Sequence, residues 1–94
     1  MPLFEVRATA SFERRLRKYA SRHQDVTAVY EEMLRVLAAD PYNRSRSHPI
    51  RPLPAFQRYR YRKQRWRFVY SIHDDVVMLD YCDLRRERTY RRQG

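Results

Sequence analysis

Residues 58–70 read Arg-Tyr-Arg-Tyr-Arg-Lys-Gln-Arg-Trp-Arg-Phe-Val-Tyr, an alternation of cations and rings that fits a two-faced β-ribbon and little else. In a hairpin with Lys63 and Gln64 at its tip, Arg58, Arg60, Arg62, Arg65 and Arg67 share one surface, while Tyr59, Tyr61, Trp66, Phe68 and Tyr70 share the other. That register sets Arg60 opposite Arg67, Arg62 opposite Arg65, Tyr61 opposite Trp66 and Tyr59 opposite Phe68. Like charges directly opposed work against folding. A chain that stacks guanidinium groups in this way points to a polyanionic partner, of which nucleic acid is the commonest. The competing reading is a solvated or protein-binding arginine face.

The flanking sequence supplies what the ring face needs to pack against. Leu3 to Arg7 alternates as a short strand with Phe4 and Val6 on one side. Thr9 or Ser11 can then cap a helix in which Phe12, Leu16, Tyr19 and Ala20 recur at helical spacing, ending near His23. Asp25 can cap a second helix carrying Val26, Val29, Tyr30, Met33, Leu34 and Leu37 on one stripe, and Asp40-Pro41 ends it. Two helices joined so closely form an antiparallel hairpin that lies on the tyrosine and tryptophan face. Between them and the ribbon, residues 41–55 hold Pro41, Pro49, Pro52 and Pro54, which exclude a helix or a central strand and predict an extended linker along the sheet edge. A further turn at Asp74-Asp75 pairs Ile72 with Val77, Tyr70 with Leu79 and Phe68 with Tyr81, leaving Arg67 opposite Cys82. The expected fold is α+β: a short N-terminal strand, an αα-hairpin and a three-strand antiparallel meander forming a twisted sheet, with residues 1–94 as one domain.

Bulk properties narrow the function. The chain carries a net charge of +10, and nearly all of the excess lies after residue 42, where fourteen Lys/Arg meet five Asp/Glu. A one-sided excess of that kind attracts phosphate backbones by counterion release. One cysteine, Cys82, allows no internal disulfide, and no apolar run is long enough for a membrane span, so a reducing cytoplasm is the expected compartment. His23, His48, His73 and Cys82 fall on separate elements without paired-ligand spacing, which predicts no metal and no cofactor, and Cys82 reads as a small buried hydrophobe. The only glycine is Gly94, so no glycine loop can cradle a phosphate. The remaining candidates are Arg58, Arg60 and Arg67 from the ribbon with Arg86 and Tyr90 from the tail, placed to surround one phosphodiester. Arginine suits charge that grows in a transition state and is a poor proton acceptor. A general base is then Tyr90, an unrecognised group with a lowered pKa, or the RNA itself.

Strand, helix, helix, Pro-rich linker and meander, taken with Phe12-x-x-x-Leu16-x-Lys18, Leu37-x-x-Asp40-Pro41, the run from Arg58 and Arg60 to Trp66-Arg67-Phe68-Val69-Tyr70-x-Ile72, and Arg86-Glu87-Arg88-Thr89-Tyr90, resemble the RelE/ParE superfamily of type II toxin-antitoxin toxins. The resemblance covers nearly the whole chain and favours the RelE-like branch. It implies a metal-independent, ribosome-dependent endoribonuclease, an mRNA interferase that inhibits translation by driving a 2′-hydroxyl onto the adjacent phosphate. In that reading Arg58, Arg60, Arg67, Arg86 and Tyr90 are the catalytic set, and Arg62, Lys63, Arg65, Arg85 and Arg88 bind RNA. The implied partners are a cognate antitoxin, the ribosome and mRNA. Arg58 and Arg60 stand where the type enzyme has lysines, and the Glu and terminal His of a related branch are not evident. The alternatives are a ParE-like inhibitor of DNA gyrase and a non-catalytic RNA-binding module of the same fold.

Overall fold

The computed structural model describes residues 4–85; Leu3, Arg86, Arg88 and Tyr90 lie outside the described residues. Among the described residues five strands and two helices build an α+β fold: β1 (Glu5–Ala8), α1 (Ala10–Ala20), α2 (Asp25–Ala39), β2 (Ile50–Leu53), a 3₁₀ turn (Pro54–Phe56), β3 (Arg58–Lys63), β4 (Trp66–His73) and β5 (Val76–Leu84). The sheet order is β1-β5-β4-β3-β2. β1 runs parallel to β5 and the other neighbours are antiparallel. The expected meander is therefore the centre of a larger mixed sheet.

Both edge strands follow from their sequences. β1 buries Val6 and Ala8 toward the helices and leaves Glu5 and Arg7 outward, where the two side chains pair at 2.7 Å. β2 arises inside the Pro-rich stretch expected to be a linker. Pro52 lacks the N–H that a second neighbour would require, so this strand can exist only at an edge. The loop leading to it is held by Asp40, whose carboxylate accepts from Arg44 N at 2.8 Å, Ser45 N at 3.2 Å and Ser45 Oγ at 2.8 Å.

Thr9 caps α1 by accepting from the Phe12 N–H at 3.0 Å, and Arg17 and Lys18 in the last turn complement the helix dipole. Asp25 is the first residue of α2 and makes no side-chain cap there. Its carboxylate instead accepts the indole N–H of Trp66 at 2.9 Å, a stronger demand because Trp66 has no exposed surface. Phe12, Val26, Val29, Met33 and Leu37 from the helices meet Tyr61, Trp66, Phe68, Tyr70, Val77, Leu79 and Cys82 from the sheet in one core. The Tyr70 hydroxyl donates to Pro41 O at 2.6 Å and ties the exit of α2 to the sheet.

The ribbon keeps its expected faces but not its expected register. Gln64 and Arg65 form the turn, so Lys63 pairs with Trp66, Arg62 with Arg67, Tyr61 with Phe68, Arg60 with Val69 and Tyr59 with Tyr70. A slip of two residues preserves every side chain's face, whereas a slip of one reverses them all. The determinant is local: Gln64 adopts a left-handed backbone at φ 57°, and that reversal places the tip one residue later. Asp74, at φ 57°, serves the expected Asp74-Asp75 turn in the same way.

In the second hairpin Ile72–Val77 and Tyr70–Leu79 pair as expected, but a bulge then sets Val69 against Tyr81, Phe68 against Cys82 and Arg67 against Asp83. The expected Phe68–Tyr81 and Arg67–Cys82 pairs are thereby replaced. Unbroken alternation from Leu79 would carry Asp83 into the apolar core, a costly burial of charge. The bulge turns Cys82 and Leu84 inward and Tyr81 and Asp83 outward. Cys82 is buried, and burial pushes its thiol up to about 11.

The Asp25–Trp66 contact yields a test. The indole hydrogen bond holds the Asp25 carboxyl below its usual value, so its stabilising contribution is full above the ordinary carboxylate range and is lost as pH falls through the lower folded value. Asp25→Ala leaves the indole N–H unpaired and is expected to cost about 1 kcal/mol in urea unfolding at neutral pH, with a smaller loss of stability than the parent shows on acidification below about pH 4.

Candidate nucleic-acid interface

Both helices pack on one face of the sheet, and the face turned away from them gathers arginines. β3 contributes Arg58, Arg60 and Arg62, and β4 contributes Arg67. The bulge in β5 makes Arg67 face Asp83, and β2 lays Arg51 directly opposite Arg60. Two cross-strand Arg–Arg pairs, Arg51–Arg60 and Arg62–Arg67, therefore lie side by side. Such pairs are destabilising unless something else compensates them.

Compensation is partial. Arg67 forms a two-pronged contact with Asp83, Nε to Oδ1 at 3.0 Å and Nη2 to Oδ2 at 2.8 Å. Arg58 pairs with Asp80 at 3.1 Å and donates to Phe56 O at 3.1 Å. Arg60 has no such support. Its Nε is buried and lacks a hydrogen-bond partner among the described residues. Burial, followed by the charges of Arg51, Arg62, Arg67 and Arg85, holds its guanidinium below the usual arginine range, yet an arginine stays cationic at neutral pH. Beside it lies an open groove of about 370 Å³ lined by His48, Pro49, Ile50, Arg51, Arg60, Arg62 and Gln64. An anion with several oxygens entering that groove meets forks already oriented by strand geometry.

The structure separates the residues that sequence reading grouped. Arg58, Arg60, Arg62 and Arg67 share the uncovered face, with Arg60 and Arg67 diagonal neighbours rather than directly opposed. Arg85 follows β5, its backbone N–H donates to Arg65 O at 2.8 Å, and its charge reaches Arg60. Lys63 projects to the helix side, where its ammonium holds both oxygens of Glu32 at 2.9 and 2.8 Å. Arg65 sits in the turn, over the Trp66 ring and 3.7 Å from Asp25. Arg86, Arg88 and Tyr90 lie outside the described residues. Arg51 was missed because Pro49 and Pro52 marked its segment as linker. The available signal was Ile50-Arg51-Pro52-Leu53, an alternation compatible with an edge strand.

No group of three or more His, Cys, Asp or Glu among the described residues is placed to hold a metal ion, and no described helix is long and apolar enough to cross a membrane.

The asymmetry between Arg60 and Arg67 gives opposite expectations for stability. Arg60→Met removes from a like-charged cluster a half-buried cation whose Nε has no partner among the described residues, and is expected to raise unfolding free energy by about 1 kcal/mol. Arg67→Met strips Asp83 of its fork and is expected to lower it by about 1 kcal/mol. Urea midpoints at matched ionic strength measure both.

No protein-family model matches the sequence, and no curated protein matches it. Solved structures do resemble the fold. The archaeal RelE–RelB complex from Pyrococcus horikoshii contains a chain that superposes with a TM-score of 0.70 at 18% identity, over 88% of this chain and 96% of that one. The YoeB–YefM complex from Staphylococcus aureus gives 0.69 at 11% identity, over 88% and 98%. The toxin–antitoxin complex RelBE2 from Mycobacterium tuberculosis gives 0.61 at 22% identity, over 90% and 94%. The chain has the RelE-like fold.

Proposed function

We propose that this chain is the toxin of a type II toxin-antitoxin pair and that it acts in the cytoplasm as a ribosome-dependent mRNA endoribonuclease. The observation that carries the reading is Arg60, a half-buried guanidinium whose Nε has no partner among the described residues, set beside Arg51, Arg62 and Arg67. A cation cluster that the described residues compensate only in part is best explained by an anionic ligand. The likeness in fold to proteins solved as toxin–antitoxin complexes supports a cognate antitoxin as the natural partner.

In the proposed reaction the mRNA 2′-oxygen bonds to the adjacent phosphorus while the bond from phosphorus to the 5′-oxygen breaks. A 2′,3′-cyclic phosphate and a 5′-hydroxyl result. The 2′-hydroxyl gives up a proton and the departing 5′-oxygen gains one. Arg67 and Arg86 stabilise charge gathering on the non-bridging oxygens, and Arg60 and Arg58 hold the backbone. Tyr90 orients or relays a proton. Arg62, Arg85 and Arg88 extend the phosphate-binding surface, with Arg65 at the ribbon tip reaching ribosomal RNA. Arg51 joins the set by its place opposite Arg60. Lys63, whose ammonium is taken by Glu32, drops out of it.

One observation favours a second reading. Arg58 and Arg67 already carry aspartate partners, as expected of a face built to bind RNA without cutting it. Induced expression with mapping of mRNA 5′ ends and parallel scoring of DNA supercoiling separates the possibilities. Cleavage at ribosome-occupied codons is expected, falling at least about a hundredfold in Arg60→Ala, as for loss of one strong electrostatic donor. RNA binding without new 5′ ends would establish the non-cutting module, and supercoiling defects without cleavage would establish gyrase as the target.

A further inference from the structure

The sheet face that bears the arginines also bears an apolar shelf, which the arginine chemistry leaves unexplained. Phe56 is 70% exposed and Tyr81 43% exposed, although both are large rings on a small domain with room in its core for others of their size. With Leu53 and Val69 they line an open depression of about 440 Å³ that Arg58 and Asp80 complete. The residues arrive from four separate places: the end of β2, the 3₁₀ turn, β4, and the stretch of β5 that the bulge turned outward.

We infer that this shelf is a stacking subsite for one unpaired nucleobase of a single-stranded RNA whose backbone lies in the neighbouring arginine groove. The inference rests on the RNA-binding reading above and adds a contact to it. Three features select a base rather than an apolar protein segment. First, the shelf is partly fixed before any ligand arrives. Tyr81 is held by Arg15, whose guanidinium lies 4.5 Å from the ring centre and donates to the Tyr81 hydroxyl at 3.2 Å and to Cys82 O at 2.8 Å. The backbone at Phe56 is held by the Arg58 guanidinium. Secondly, shelf and groove are adjacent. Leu53 and Arg58 pair across β2 and β3, and the next outward pair along the same strands is Arg51–Arg60. Two residues of strand separate them by about 7 Å, a distance that a single nucleotide spans between its base and a flanking phosphate. Thirdly, the charge at the rim suits a nucleotide. Asp80 is offset by Arg58 and by the Ser71 hydroxyl, and among the described residues both contacts fall on Oδ2, so Oδ1 can accept from an amino group on a base edge. The cations beyond it suit phosphate.

Fluorescence anisotropy with a labelled single-stranded RNA decamer, its abasic counterpart and inorganic polyphosphate tests the subsite on the whole chain. Phe56→Ala is expected to weaken RNA binding about tenfold, within the range for loss of one base–aromatic stack, and Phe56→Trp to restore it. The abasic strand is expected to bind the parent more weakly and to be indifferent to Phe56→Ala. Polyphosphate, which has no bases, is expected to bind parent and variant alike and to lose affinity in Arg60→Ala. If RNA binds tightly and Phe56→Ala changes nothing, or if polyphosphate weakens as much as RNA in that variant, the stacking subsite is wrong while the cationic groove stands. Failure of the parent to bind either RNA or polyphosphate overturns the RNA-binding reading, and this inference with it.

Discussion

The seating of the β3–β4 ring wall on the two helices determines everything else in this domain. Trp66, Tyr61, Phe68 and Tyr70 are fully buried, and their strands alternate strictly, so burial of the rings forces the intervening side chains to the opposite face. The arginines are there because the rings are inside. Their mutual repulsion is tolerated because the same strands that expose them are anchored by the largest apolar contacts in the chain. Phe12 and Tyr30 reach Phe68, and Tyr19 meets Trp66 edge-on at 5.2 Å, so both helices grip Phe68 and α1 also holds Trp66. Core and cationic face are two outcomes of one periodicity.

Much of this was legible in residues 58–70, because period-two alternation assigns faces without any knowledge of neighbours. The helices were legible for the related reason that Phe12, Val26, Val29, Met33 and Leu37 recur at the spacing of one helical face. Register was harder. It depends on which residue takes the left-handed backbone at the tip, and neither Lys63, Gln64 nor Arg65 announces that role as an asparagine or glycine would. The bulge at β5 was hidden by Tyr81, an aromatic residue that fits an inward position as well as an outward one. Asp83 carried the contrary signal, since continued alternation would have buried it.

The candidate site shows the same division. Faces follow from alternation, and of the five arginines expected on one surface Arg58, Arg60, Arg62 and Arg67 share it, whereas Arg65 lies in the turn. Positions near the tip do not follow from it. Lys63 belongs by parity to the ring side, and Glu32 on α2 supplies the partner that holds it there. Arg51 escaped notice because proline was read as a bar to strand structure when it bars only the interior of a sheet. Arg60 illustrates what sequence cannot convey: its type and face are evident, but its buried, unsatisfied Nε emerges only when neighbouring strands close around it.

Asp80 and Asp83 give the arginine face a shape that its composition does not have. Each offsets the arginine beside it, Arg58 or Arg67, so among the described residues the positive potential is strongest around Arg51, Arg60 and Arg62 rather than along a broad stripe. A polyelectrolyte sliding across this sheet encounters a carboxylate toward the β5 side and a well of attraction over β2 and β3. Two aspartates along one strand thus turn a sticky surface into one with a preferred frame.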